Sequence, residues 1–535
     1  MSDLKKFITD KQRLIAAFCF ALFVINTQIK QTLVWDSPVI NASFHTTELI
    51  MSFVILSYYR LSDILKHKRI YIIYSVAGLI AGIAFICIRF RTEFHFRYPA
   101  VIIMVAGLFM LGICAISTII YYIVDKNKLT LNRPAFAVWF LLMVLMSVSA
   151  GDFALYALRF FICFLMYYLA PRTETSQKST TEGMVIGIIL GYLFEFGFCL
   201  LFRPYDIVRY LGNFSNPNHN CLFLDFALAA LLGGLLLAHH NGCRKIVSIF
   251  LYILLGTDLA CIYMTASRSG WLAAFFVFAL YIVFYVRNTG RNVIKHICVF
   301  AMLFLVGLPL TYVAIRYMPL TNPYVKFYYF DNHNYHPVNR DNKFNSDDYI
   351  GFKQMLLSPL GRFSEIVDTG DDATDDSPEV TEELQPESSG NALLTHEEFL
   401  NPILVRRTIY KWYFDRLTLR GVPVDEQGFQ LTSDVWIQDT HNIFLAYGAD
   451  YGFPAMILFI ILILYGEVYC IIKTIKQKSV IYAISAMMIM VAPVVGMFEY
   501  AWGYGLISMI IPYFCLKNVV VKTSDSVAEA KEISD

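Results

Sequence analysis

Two short stretches of this chain combine residue types able to do chemistry with spacings that hold them still. The first is QDTHNIFLAYGADYGFPA, residues 438–455, where His441 and Asn442 open an apolar run and Asp450 precedes a Gly-Phe-Pro break. A neutral imidazole at such a boundary accepts a proton from a hydroxyl at neutral pH; the plainer reading is an interfacial residue with no chemistry. The second is TASRSG, residues 265–270, which leaves almost no loop between two apolar runs and so confines the Arg268 guanidinium. A fixed, permanently charged fork suits phosphate or pyrophosphate. More arginines flank them. Arg203 and Arg209 lie in RPYDIVRYLGNFSNPNHN (203–220), and Arg406 and Arg407 in NPILVRRTIYKWYFDRLTLRG (401–421). Arg203 reads as a side chain snorkelling to headgroups.

The elements that must position these residues are membrane helices. The chain is 57% hydrophobic and only 16% charged, where a soluble protein carries about a quarter charged residues. Apolar runs of near-spanning length recur along almost all of it, and such runs must be helices because the bilayer leaves no backbone group unpaired. The expected fold is therefore an all-α polytopic membrane protein with about 12–14 transmembrane helices. The expected spans are 14–30, 47–63, 70–88, 99–124, 134–149, 153–170, 183–202, 222–238, 246–265, 270–286, 296–314, 443–473, 480–498 and 503–517; the pair around Gly151 reads equally as one re-entrant hairpin. The run 443–473 would rise about 46 Å, against a hydrocarbon core of ~30 Å. Pro454 suits the first turn of a new helix, so 442–450 is expected as a separate short helix entered through His441. No cleavable signal peptide is read in MSDLKKFITDKQR.

Four segments result: helices over 1–316, a large extracytoplasmic loop over 317–441, helices over 442–517 and a cytoplasmic tail over 518–535. Lys and Arg in the short loops put both termini in the cytoplasm, with Arg89, Arg91 and Arg97 as an unexplained exception. Segments 203–220, 265–270 and the large loop then share the outer face. Within the loop, 364–398 lacks Lys and Arg and reads as a disordered acidic insert rather than a metal site. Stretch 401–421 interleaves apolar residues at helical spacing with bases, the pattern of a helix on the membrane surface. His333 and His336 lack further ligands nearby, and Asp371, Asp372, Asp375 and Asp376 fall in the insert, so no metal site is expected. The 11 cysteines lie in or beside apolar runs and read as small core residues. A net charge of +1 argues against nucleic acid. Arg159, Glu195, Asp225, Asp258 and Asp450 lie within or at the edges of spans, where each needs a partner or a wet cavity. Arg159 with Glu195 or Asp225 reads as an ion or proton pathway or as structural glue; the sequence leaves both open.

Taken in order, these elements resemble the O-antigen ligase and O-antigen polymerase superfamily of bacterial membrane glycosyltransferases. The resemblance rests on His441-Asn442 with Gly452 downstream, on Arg268-Ser-Gly-Trp-Leu272, on RYLGNFSNPNHN (209–220), and on Arg406-Arg407 followed by Tyr410 and Trp412. It covers about residues 205–475. Departures are Ala455 in place of a glycine-like residue, the acidic insert and the number of spans. The resemblance implies a GT-C-type, metal- and cofactor-independent, inverting glycosyltransferase on the outer face of the cytoplasmic membrane. It would move a glycan from an undecaprenyl-diphosphate-linked donor to an acceptor hydroxyl of a glycan, lipid or wall polymer. On that basis His441 is the general base and Arg268 holds the diphosphate. Arg209 and one of Arg406 or Arg407 complete the clamp. Asn442 and His219 are candidate sugar contacts or else helix caps, Tyr410, Trp412 and Tyr413 are candidates for stacking on sugar faces or equally for interfacial anchoring, and Asn216 and Asn218 are read as helix caps. Membrane lipids and other polysaccharide-assembly proteins are the remaining candidate partners. Ligase and polymerase need the same chemistry and stay undivided. Two other classes compete: a lipid-linked oligosaccharide flippase or other transporter working through the buried charges, though no internal repeat is evident, and a scaffold whose acidic loop binds a partner.

Overall fold

A computed structural model describes residues 10–32, 46–92, 98–149, 154–203, 205, 209–214, 216–289, 293–322, 351–358, 393–394, 401–423, 426–432, 435–437, 440–498 and 507–521. The N-terminal helices are α1 (Lys11–Thr32), α2 (Thr46–Leu56), the short α3 (Leu61–Lys66), α4 (Lys68–Thr92), α5 (Tyr98–Ile119, continued by a π-helical turn to Val124), α6 (Arg133–Ser147) and α7 (Ala154–Leu169). Then come α8 (Glu174–Phe202), α9 (Pro217–His240), α10 (Lys245–Met264), α11 (Arg268–Thr289) and α12 (Val293–Tyr317). After α13 (Pro402–Phe414) and a hairpin of β1 (Phe429–Thr432) and β2 (Val435–Ile437), the chain closes with α14 (Ile443–Tyr451), α15 (Phe453–Gln477), α16 (Val480–Gly496) and α17 (Ile507–Val520).

Among the described residues, eight helices are long and apolar enough to cross a membrane (α4, α5, α8 to α12 and α15), and α2, α6, α7, α16 and part of α17 are shorter apolar helices. The molecule is largely helical, as expected. The hairpin in the large loop is an addition that an all-α reading did not contain. Helix α2 also stops at Leu56 rather than running on to 63. The acidic insert, apart from residues 393 and 394, lies outside the described residues, as do His333, His336, the four aspartates 371, 372, 375 and 376, and 522–535 of the tail.

Small residues set which helices touch. Apolar side chains gain little by leaving lipid for protein, so association favours surfaces where backbones approach closely. Gly183, Gly187 and Gly191 recur every fourth residue along α8 and form a flat stripe against α1. A Cβ on Gly187 would lie 2.5 Å from the Ala17 carbonyl oxygen. We expect Gly187→Val to force the two helices apart and cost about 1–3 kcal/mol, read as a lowered thermal unfolding midpoint with intact membrane insertion. Helix α9, rich in Ala and Gly, is the central helix, its apolar window almost wholly buried; α8, α10, α11 and α16 all pack on it. At the periphery, α4 turns Ile73, Leu79 and Ile80 outward, as a lipid-facing surface requires.

The bundle has two distinct ends. At one, Arg13 pairs with Glu182 at 2.8 Å and Asn241 Nδ2 donates to Glu182 Oε1 at 3.2 Å. There too Arg172 donates to the carbonyl oxygens of Lys517 (2.7 Å) and Val521 and to Asn518 Oδ1 (3.0 Å), and Asn518 Nδ2 donates to Ser485 Oγ at 2.7 Å. The starts of α8 and α16 therefore share this end with the finishes of α9 and α17. The opposite end collects the start of α9, the α10–α11 turn and the finish of α16. That is where the candidate chemistry lies.

Candidate functional site

The arginine half of the site is built by the segment before α9 folding back over the α10–α11 turn. Tyr210 N–H donates to the Met264 carbonyl oxygen at 2.9 Å. Arg209 Nε donates to the Thr265 carbonyl oxygen at 3.0 Å, and Arg209 Nη2 to Asn218 Oδ1 at 2.5 Å. The Arg209 fork is thus pinned at two points beside the turn that carries Arg268. Asn216 caps α9 as expected, its side chain accepting from Asn218 N–H at 2.8 Å with Pro217 in the first turn. Asn218, expected as a cap, instead orients Arg209. His219 is half-buried in the first turn of α9. Arg203, expected to snorkel, donates through Nε to the Gly212 carbonyl oxygen at 3.1 Å and so belongs to the same loop.

Gly212 has φ +56°, and beneath it lies a link that sequence reading missed. With its amide oriented to satisfy both neighbours, Asn220 donates to Glu195 Oε1 at 2.8 Å and accepts from Gly212 N–H at 3.3 Å. Glu195 on α8 thereby anchors the loop that presents Arg209. Chain order gives no hint of this, since the partners are brought together only by helix packing.

Arg268 is the first residue of α11, half-buried, with no acidic residue in that first turn. Ser267 Oγ accepts from Gly270 N–H at 3.4 Å, and Trp271 N–H donates to the Ser267 carbonyl oxygen at 3.0 Å. A cation at a helix N-terminus opposes the helix dipole, while the two together favour an anion. Just before it, Ala266 has φ +48°, left-handed backbone in a non-glycine residue. Such conformations cost about 1–2 kcal/mol and cluster at functional sites.

The histidine half repeats the pattern. His441 has φ +47°. No described hydrogen bond involves its ring, while its carbonyl oxygen lies 3.2 Å from the Tyr410 hydroxyl. The same hydroxyl is 3.2 Å from the Met497 carbonyl oxygen at the finish of α16, and Asn442 Nδ2 donates to that oxygen at 3.1 Å. Asn442 Oδ1 caps α14, accepting from Phe444 N–H (2.9 Å) and Leu445 N–H (3.1 Å). Asn442, expected as a sugar contact or a helix cap, is the cap of α14, and it and Tyr410 both tie the His441 turn to the finish of α16. The Trp412 ring stacks on Phe429 at 4.5 Å, with Arg416 4.1 Å from its centroid. Tyr413 is fully buried in the small core under the hairpin with Ile409 and Leu431. Of the two neighbouring arginines, Arg406 is directed at Phe498, 5.9 Å from its ring, while Arg407 is exposed.

The helix break falls where expected. Gly452 has φ +98°, and a Cβ there would run into the backbone of Leu419 and Arg420, which strap the junction of α14 and α15. Asp450 lies in the last turn of α14 and receives Gln427 Nε2 at 3.4 Å.

Helix α16 joins the halves. It packs on both α9 and α11, and its finish carries Met497, to which Tyr410 and Asn442 are tied. Arg209, Arg268, Arg406 and His441 thus stand at one end of one bundle. Arg159 does not join them: it pairs with Glu48 between α7 and α2, a partner other than the Glu195 or Asp225 considered from sequence. Among the described residues no group of His, Cys, Asp and Glu is arranged to hold a metal ion. The chain matches no protein-family profile, no curated protein and no solved structure.

Proposed function

We propose that this chain is a GT-C-like membrane glycosyltransferase of the O-antigen ligase and polymerase type. It takes a glycan from an undecaprenyl-diphosphate carrier and joins it to an acceptor hydroxyl. The observation that supports the reading is that His441 stands at the same bundle end as Arg209 and Arg268, with left-handed backbone at His441 itself and at Ala266 just before Arg268. The remaining described left-handed non-glycine residues, Lys126 and Lys478, are ordinary turns at helix finishes.

The chemistry follows from these residues. A His441 ring nitrogen takes the acceptor hydroxyl proton, and the oxygen attacks the anomeric carbon from the face opposite the diphosphate. The carbon–oxygen bond to the diphosphate breaks, and the lipid diphosphate departs with the bonding electron pair. Arg268, Arg209 and the N-terminus of α11 meet the charge that develops on it. The anomeric centre inverts. Arg406 is the member of its pair placed to guide the glycan. The arginines supply the electrostatic work, and the scheme uses no metal or cofactor.

In this reading the basic end with Arg13, Arg172, Lys178 and Lys517 is cytoplasmic, and the site opens on the outer face of a bacterial cytoplasmic membrane. Helix α14 lies at the outer interface and the shorter apolar helices complete the spans. A second reading, a lipid-linked oligosaccharide flippase, draws on the buried acids Glu195, Asp225 and Asp258, which the transfer chemistry does not use. One assay separates the two. Purified protein is reconstituted with lipid-linked donor already on the outer leaflet and an acceptor glycan outside. Formation of elongated or transferred glycan is the expected result; no product, with donor instead crossing between leaflets, would replace the transferase with the flippase.

A further inference from the structure

Beneath the arginines, three neighbouring helices each contribute one acid to the same region. Glu195 of α8 is 2% exposed, and Asp225 of α9 and Asp258 of α10 are 0% exposed. Asp258 lies within electrostatic reach of Asp225, and Glu195 within reach of Asp258. Three acids alone would not define a site. What does is that neither oxygen of Asp225 and neither oxygen of Asp258 has a hydrogen-bond partner, and Glu195 Oε2 has none either. Asp225 is also aimed at the arginine half of the site: a Cβ on Gly270, two residues after Arg268, would lie 3.3 Å from Asp225 Oδ2.

Among the described residues, the surroundings offer no compensating charge at this depth. Helix α8 adds Tyr192, whose hydroxyl is bonded to Thr257 at 2.9 Å, and Cys199; α9 adds Cys221 and α10 adds Cys261. The folded-back loop adds Tyr210 and, nearer the bundle end, Arg203 and Arg209. Helix α11 adds Arg268 at its start. Helix α12, packed on α10, carries its basic residues only at positions 295, 296 and 316, near its two ends, and α16 carries no charged residue. A buried carboxylate with no donor and no counter-charge is strongly disfavoured, and the group neutralises instead. Two carboxyls sharing one dry site cannot both ionise.

We propose that Glu195, Asp225 and Asp258 form a proton-binding site in which Asp225 and Asp258 are held as uncharged carboxylic acids. The consequence for function rests on the transferase reading. Ionised acids beneath Arg209 and Arg268 would draw those guanidinium groups inward and cancel the field that holds a diphosphate. Protonated, they leave the arginines to the substrate.

The test is infrared spectroscopy of the full chain in lipid nanodiscs at neutral pH, in H2O and in D2O. The expected result is a carbonyl band of protonated carboxylic acid that shifts in D2O and loses one component in Asp225→Asn and another in Asp258→Asn. Glu467→Gln serves as the reference, because Glu467 is a buried acid in a different part of the bundle with both oxygens unpartnered. An amide copies the shape of an uncharged acid, so both Asn variants should fold and keep the unfolding temperature of the unaltered chain. Spectra unchanged by both substitutions would overturn the proposal, and so would failure of the Asn variants to fold. A preparation that shows the band but transfers no glycan keeps the proton site and discards only the role assigned to the arginines.

Discussion

Replacing His441 with Gly, Asn or Ala slows glycan transfer by about 10²–10⁴-fold, the usual worth of a positioned general base. The three variants differ in what else they remove, and that difference is the test. His441 occupies left-handed backbone at φ +47°, which Gly adopts freely and Asn more readily than most residues. His441→Gly therefore deletes the imidazole while relieving strain of about 1 kcal/mol, and should unfold at or above the temperature of the unaltered protein. His441→Ala loses the base and keeps the strain. Single-turnover transfer from a lipid-linked donor, measured beside thermal unfolding, separates chemistry from backbone. A His441→Gly variant transferring at the normal rate would end the assignment of His441 as base and leave it a turn residue. Loss of transfer in all three, with stability ordered Gly above Ala, is what the geometry requires.

The break at Gly452 was legible because three independent signals coincide there: a run too long for one span, a glycine, and a proline two residues on. The Asn216-Pro217 start of α9 was legible for the same local reason. The roles of Tyr410, Trp412 and Tyr413 were not. Aromatic residues beside arginines suit sugar stacking and membrane anchoring equally well, and their actual partners, Phe429 and Met497, come from a hairpin and a helix finish that no local pattern points to. Arg159 failed similarly: Glu48 is as plausible a partner as Glu195 until helix neighbours are known. The stripe Gly183-Gly187-Gly191 is a different case. It entered none of the sequence expectations, yet small residues four apart mark a close helix contact, and it locates the α1–α8 contact that composition and span lengths alone leave open.

One relation between the two halves bears on the remaining prediction. Tyr410 and Asn442 fix the histidine half to the finish of α16, while α16 packs along α9 and α11, whose starts carry the arginine half. The placement of His441 relative to Arg209 and Arg268 is therefore tied to packed helices. That is the arrangement positional catalysis needs, because small misplacements of reacting groups cost large factors in rate.

The proposed role of Arg268 at the departing diphosphate makes its substitution the second large expected effect. Arg268→Ala is expected to lower kcat by about 10²–10³-fold, the range seen when one group stabilising developing charge is removed. Arg268→Lys is expected to fall between Ala and the unaltered protein. It keeps a cation at the start of α11 but loses the planar fork that grips two oxygens at once. Because the charge on the departing diphosphate grows only as the bond breaks, kcat should fall more than KM rises. The measurement is steady-state transfer at several donor concentrations, with unfolding temperatures as the control for structure. If KM alone rises, Arg268 merely binds the donor. If kcat falls only in proportion to a loss of folded protein, Arg268 is a structural residue of the α10–α11 turn and the anion site must be sought at Arg209 and Arg406. A kcat deficit in fully folded protein, graded Ala below Lys, ties the left-handed turn at Ala266 to the chemistry it presents.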